Sequence, residues 1–208
     1  MKFTWATRIT ILRILLIIPF VIFMLKINDP ALSLFWRAAA RYAAITVFLV
    51  MAASDALDGF LARRNGQSTK LGAFLDPTAD KLLITCACLL LSSGRAGVEG
   101  FQLPTTVVVI IIGKDLFLLI GFTIIYLITS RAVITPIFIG KVATVLQLSM
   151  VAGILVAPEV SRIVPGWIWL LRVLWWSAAT TAVLTTLVYI RQGSRLLEDF
   201  EHRSDEQS

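Results

Sequence analysis

Four aspartates, Asp55, Asp58, Asp76 and Asp80, fall within 26 residues of one another, and Gly59, Ala62, Arg63 and Gly72 stand between them. Four carboxylates cannot share a half-dry site unless cations neutralise them. An all-oxygen set without His or Cys selects hard ions: Mg²⁺, Mn²⁺ or Ca²⁺. Two such ions a few ångströms apart suit a diphosphate. Arg63 offers a planar fork to a phosphate oxygen. Gly59 and Gly72 let a ligand or a second backbone approach closely, and Ala62 keeps the same face open. Each residue also has a plainer use. An aspartate at the end of an apolar run is commonly an interfacial or N-cap residue, as Asp76 before Pro77 would be. Small residues on membrane helices commonly serve packing. Eight such residues in so short a stretch point to a site instead.

The elements that must position them are helical. At about 100° per residue, Asp55, Asp58, Gly59, Ala62 and Arg63 share an arc of about 140° on one helix. Gly72, Asp76 and Asp80, spaced i, i+4, i+8, drift by about 80° and share a face on the next. The chain around them is 58% hydrophobic over 208 residues, with mean hydropathy +0.85. That is more apolar than soluble domains. Six apolar runs, at about 9–26, 36–62, 73–93, 104–129, 135–157 and 167–190, are each long enough to cross a hydrocarbon core. The reading is an all-α integral membrane protein with six transmembrane helices, since open sheet edges cannot face lipid. Residues 1–190 form one six-helix domain, and 191–208 form a short, polar cytoplasmic tail, expected to fray over "LEDFEHRSDEQS" at 197–208. Turns are expected at 28–30, 63–69, 92–100 and 165–167. The first run is too long for a signal-peptide core and lacks a cleavage site.

Charge distribution orients the chain. Lys2, Arg8, Arg13, Arg63, Arg64, Lys70, Lys81, Arg131, Lys141, Arg191, Arg195 and Arg203 fall near one set of span ends. Lys26, Arg37, Arg41, Arg95, Arg162 and Arg172 fall near the other, and Lys114 lies mid-span. The positive-inside rule then places both termini in the cytoplasm, in a multi-pass protein of the cell membrane. The aspartates sit at the cytoplasmic end, in a site that faces the cytoplasm. The net charge of +6 accordingly serves anionic lipid head groups and phosphates rather than nucleic acid. Cys86 and Cys88 lie inside an apolar run at a spacing poor for zinc and impossible for a relaxed disulfide, so they are expected as buried, inert thiols. His202 in the polar tail is given no role.

The string Asp55-x₂-Asp58-Gly59-x₂-Ala62-Arg63-x₈-Gly72-x₃-Asp76-x₃-Asp80 resembles the complete signature of the CDP-alcohol phosphotransferase (phosphatidyltransferase) family. The resemblance implies that Asp55, Asp58 and Asp76 bind a pair of divalent ions, Mg²⁺ or Mn²⁺. It implies that Asp80 also lies at the metal site and acts as general base on the acceptor hydroxyl. It implies that Gly59, Ala62, Arg63 and Gly72 line the CDP site, and that a CDP diphosphate is cleaved with CMP leaving. The chemistry is sound on its own terms. Metal ions and Arg63 can stabilise charge on the leaving phosphate, and an ionised carboxylate suits the base.

Within the family, the chain is most similar to the bacterial phosphatidylglycerophosphate synthase branch. The likeness rests on Thr7, Thr10, Arg13 and Pro19 of the first run, on "LGAFLDPTADK" at 71–81 and on "GKVATVLQ" at 140–147. Thr4 and Ala6 stand where that branch usually has Asn and Pro. The implied partners are CDP-diacylglycerol and an alcohol, glycerol 3-phosphate being preferred, with Lys114 and Lys141 as substrate contacts. Lys141 serves equally as a cytoplasmic anchor. Lys114-Asp115 replaces an Arg-Glu pair and Gly121 a further Arg, a pattern nearer the Arg-Asp pair of CDP-type cardiolipin synthases, which use phosphatidylglycerol. A small transporter or ion pathway would instead spread carboxylates through the bilayer depth, and an inactive scaffold would not keep the whole signature. The Trp-rich run at 167–176 reads as an interfacial anchor or as the face of a homodimer.

Overall fold

The computed structural model describes the backbone of residues 5–65, 70–129 and 138–205, with side chains except those of 5–7, 9, 55–65, 70–78, 80, 122, 125–129 and 196–205. Among the described residues the chain is entirely helical outside its turns. The helices are α1 (Trp5–Lys26), α2 (Leu34–Asn65), α3 (Lys70–Ser92), α4 (Thr105–Thr129), α5 (Phe138–Leu155), α6 (Ala157–Ile163) and α7 (Trp167–Asp205). Among the residues whose side chains are described, three stretches, Leu34–Ser54, Phe138–Leu155 and Trp167–Arg195, are long and apolar enough to cross a bilayer. Leu15, Ile18, Ile22, Val109, Leu119, Trp169, Val173 and Trp176 point outward and exposed. A soluble fold does not turn so much of its large apolar side chain outward; an integral membrane protein does.

The helices pack as two groups. In one, α1 lies against both α2 and α3; in the other, α7 lies against α4 and α5. Helix α3 touches α4 and α5, and α2 touches α5, which joins the groups. One continuous core runs between them through Phe20, Met24, Phe48, Leu91, Ile111, Met150, Ile154 and Leu171. The Phe20 and Phe48 rings meet with centroids 6.0 Å apart.

One end of the bundle is closed by its turns. Asp29 accepts a hydrogen bond from Ala31 N–H at 3.0 Å and one from Lys26 at 3.1 Å. That backbone N–H, then the lysine, holds its carboxyl below the usual range. Asn28 Nδ2 donates to Gly97 O at 2.8 Å and ties the α1–α2 turn to the α3–α4 turn. A Cβ at Gly97 would meet Ser93 O at 2.7 Å, so the turn requires glycine there. Arg41 and Tyr42 of α2 both donate to Glu159 Oε1 on α6. Trp167 Nε1, just after Gly166 at φ +86°, donates to Gly153 O at 3.2 Å.

Several boundaries differ from the sequence expectation. The fifth run stops at Leu155, and a separate short helix, α6, starts after Val156 with Pro158 in its first turn. Proline lacks an N–H to continue the ladder but is tolerated where a helix begins. Arg63, Arg64 and Asn65, expected in a turn, continue α2. Residues 191–205 continue α7, including 197–205, where fraying was expected. There Arg195 stands four residues before Asp199, a spacing that supports an exposed helix. Both cysteines are free thiols, as expected; Cys88 is buried as expected, whereas Cys86 is only half-buried.

Candidate active site

Chain alternation brings the end of α2 and the start of α3 to the end of the bundle opposite the closed turns. Asp55 lies ten residues before the end of α2, and Asp80 ten residues after the start of α3. At about 1.5 Å per residue, each is about 15 Å from its helix end. Asp58 and Asp76, seven and six residues in, are about 10 and 9 Å from theirs. The four aspartates therefore fall at two matched levels on two helices that both pack against α1.

The side chains of Asp55, Asp58, Asp76 and Asp80, and those at Gly59, Ala62, Arg63 and Gly72, lie outside the described residues. Their helical backbone already decides one alternative. Helix α3 begins at Lys70, so Asp76 sits in its second turn and is not an N-cap. Pro77 is inside the helix; it withholds an N–H from the Ala73 carbonyl and weakens the ladder in the turn that carries Asp76, just before Asp80. Among the described residues no group of His, Cys, Asp or Glu can hold a metal ion.

The third helix of this group adds a cation. Arg13, eight residues into α1, lies about 12 Å from that helix's start, at the level of the aspartates. It is 1% exposed, beside the fully buried Thr10, and both are engaged in interactions there. The sequence reading counted Arg13 among the charges near the cytoplasmic span ends and among the residues of the first run that match the synthase branch, and gave it no role in the site. The signal that places it is its position inside the apolar "TILRILLIIPF", since an ionisable residue in such a run is a functional candidate by default.

Further in, Asp115 gathers two cations. Lys114 Nζ lies 2.8 Å and Lys81 Nζ 3.0 Å from Asp115 Oδ1. Lys81 was expected as a cytoplasmic anchor; it instead reaches across from α3 to α4. Lys114 lines a groove of about 330 Å³ between α4 and α7, with Gly113, Phe117, Val183 and Thr186. Lys141 is exposed in the first turn of α5, at the aspartate end, with no ion pair among the described residues. Gln147, nine residues into α5, is 1% exposed, and its Nε2 finds no hydrogen-bond partner among the described residues. It was missed because one amide in "VATVLQLSMVAG" does not disturb the hydropathy of the run.

The chain matches the family model described as CDP-alcohol phosphatidyltransferase over residues 3–188. It is 33% identical over 164 residues to the CDP-diacylglycerol–glycerol-3-phosphate 3-phosphatidyltransferase of Escherichia coli (strain K12), covering 77% of this chain and 81% of that protein. The protein of the same name from Shigella flexneri serotype 5b (strain 8401) is similar to the same extent, 33% over 164 residues.

Proposed function

The chain belongs to the CDP-alcohol phosphatidyltransferase family, and from that premise we propose that it transfers a phosphatidyl group from CDP-diacylglycerol to glycerol 3-phosphate. A hydroxyl oxygen of glycerol 3-phosphate attacks the phosphorus that bears the diacylglycerol. The bond from that phosphorus to the bridging oxygen breaks, and CMP leaves with that oxygen. Asp80 takes the hydroxyl proton. Arg63 places its fork on the diphosphate, and Gly59, Ala62 and Gly72 leave room for the nucleotide. Lys114 and Lys141 meet phosphate charge on the substrates. The observation that carries the reading is the complete eight-residue pattern, set at matched levels on two helices of one packing group.

The donor set fits a divalent ion. Four carboxylates with no nitrogen or sulfur ligand suit Mg²⁺ or Mn²⁺, and Asp55, Asp58, Asp76 and Asp80 would hold two of them. When bound, such ions would neutralise the carboxylates and stabilise charge on the diphosphate. The same proposal gives six crossings, because α6 at seven residues spans only about 10 Å. Both termini and the site then face the cytoplasm by the positive-inside rule. A homodimer through the exposed Trp169, Val173 and Trp176 face of α7 belongs to it as well.

One observation favours a second acceptor. The Lys114–Asp115 pair is intact at 2.8 Å, and Gly121 stands where the phosphatidylglycerophosphate synthase branch has an arginine. A site with fewer guanidiniums suits phosphatidylglycerol, giving cardiolipin. The test is to incubate purified protein with CDP-diacylglycerol and Mg²⁺ or Mn²⁺, offer each alcohol separately and weigh the lipid product. Phosphatidylglycerophosphate supports the first reading; cardiolipin formed only from phosphatidylglycerol replaces it.

A further inference from the structure

Gln147 is fully buried, and its Nε2 has no hydrogen-bond partner among the described residues. It stands in the middle of the buried face of α5, with Ala143, Met150, Val151 and Ile154. The register of α5 against α7 shows what faces it. A Cβ at Gly153 would meet Leu171 and Leu174, and one at Gly140 would approach Thr185 and Tyr189. Between those contacts Gln147 lies opposite Ala178, with Ala179 and Ala182 beside it, all three buried. No charged residue occurs on α5 from 142 to 155 or on α7 from 177 to 188. The nearby Thr181 and Thr185 hydroxyls donate to carbonyls of their own helix. About a turn deeper on the same face of α7, Trp175 Nε1 is a second buried donor without a partner among the described residues.

The depth of this amide relates it to the aspartates. Gln147 lies about 14 Å from the start of α5, as Asp55 and Asp80 lie about 15 Å from their helix ends. Arg41 of α2 meets Glu159 just beyond α5, which gives an independent register. From that contact Asp55 is fourteen residues along α2, about 21 Å, and Gln147 is twelve residues back along the chain, at most about 18 Å. Both routes put the amide at the level of Asp55 or a few ångströms deeper, on a helix that packs against α2 and α3. A buried donor left unpaired is costly, and one with no cation beside it suits an uncharged oxygen. The ester carbonyls of CDP-diacylglycerol are such oxygens. They follow the diphosphate on the side of the acyl chains, the deeper side here. We infer that Gln147 is a binding residue for the donor lipid: its amide N–H donates to an ester carbonyl of the diacylglycerol, on the bilayer-centre side of the diphosphate. The inference rests on the reading of CDP-diacylglycerol as the donor.

A donor lipid without ester carbonyls tests it. CDP-diacylglycerol and its dialkyl ether analogue are offered separately to full-length purified protein with Mg²⁺ and either glycerol 3-phosphate or phosphatidylglycerol, and CMP release is followed. Wild type should favour the ester lipid in kcat/KM by about three- to tenfold, the value of one neutral hydrogen bond, with the difference lying in KM. Gln147→Met is similar in length and has no donor. It should bring that ratio below about twofold, chiefly by weakening use of the ester lipid, a selective change that general damage to the fold does not produce. Because it removes an unpaired buried donor, its Tm in detergent without substrate should equal or exceed that of wild type. The same ester-to-ether ratio in wild type and variant would overturn the inference, as would a wild type that uses the two lipids alike. A lower Tm in Gln147→Met would show the amide partnered within the fold and would overturn it too. Wild type that releases CMP from neither lipid would overturn the donor reading itself, an outcome distinct from an unchanged ratio.

Discussion

The two ends of the bundle handle charge in opposite ways. At the closed end several charged side chains are answered locally. Lys26 meets Asp29, Arg41 meets Glu159, Arg37 donates to the Leu32 carbonyl at 3.0 Å and Arg172 lies 4.7 Å from the Trp169 ring centre. At the other end four aspartates crowd two helices, with Arg13 of α1 at their level and Lys81, the residue after Asp80, paired with Asp115 of α4. Matched charge fastens helices and turns; four carboxylates crowded together call for cations to neutralise them. The contrast separates structural charge from functional charge more reliably than burial does, since Arg13 and Arg41 are both largely buried.

Breaking the contrast at the aspartate end should have the largest effect. Removal of divalent ions with EDTA should abolish CMP release, and Mg²⁺ or Mn²⁺ should restore it; full release in metal-free buffer counts against the metal reading. Asp80→Asn comes next, with phosphatidyl transfer falling by about 10²–10⁴, the usual cost of losing a positioned base. CDP-diacylglycerol binding, read by calorimetry at the same Mg²⁺ concentration, should persist in that variant and weaken in Asp55→Asn and Asp76→Asn. If Asp80→Asn loses affinity as badly as they do, Asp80 is chiefly a ligand and the base lies elsewhere. Arg63→Lys keeps the charge but not the fork and should cost at least about tenfold, or about 1.4 kcal/mol in the barrier. Wild-type kinetics there would return Arg63 to the anchors.

Two smaller effects sharpen the comparison. A Cβ at Gly121 meets nothing within 4 Å, so an arginine has room at its root. Gly121→Arg should raise the efficiency with glycerol 3-phosphate by about tenfold if an anionic acceptor sits nearby, the value of one charge-assisted contact. No change in kcat/KM would move the acceptor phosphate away from that helix. At the closed end, Glu159→Gln leaves Arg41 short of its counter-charge. It should lower stability by about 1–3 kcal/mol, seen as a lower Tm in detergent, and leave turnover within about twofold. A large loss of turnover with an unchanged Tm would contradict the structural role assigned to this end.

Much of this was legible in the sequence because membrane helices obey coarse rules. Long apolar runs located the six long helices to within a few residues, except that α7 runs 15 residues past its apolar run, and the four aspartates lie on two successive helices as their spacing suggested. What escaped was set by tertiary context. Pro158 and the φ −91°, ψ 0° backbone of Val156 split the fifth run, a break that hydropathy averages away. Lys81 and Arg13 were read as anchors because the positive-inside rule counts charges by position along the chain. Whether a cation meets water or a carboxylate depends on the neighbouring helix. Lys81 finds Asp115 34 residues away, and no local pattern announces that pairing.

The central claim, attack by the acceptor hydroxyl on the phosphatidyl phosphorus, is tested most directly by following an oxygen atom. Glycerol 3-phosphate labelled with oxygen-18 at its primary hydroxyl, incubated with wild-type protein, CDP-diacylglycerol and Mg²⁺, should pass its label into the lipid product and leave CMP unlabelled, as mass spectrometry of both products would show. Label in CMP, or CMP released without a labelled lipid, would contradict the account.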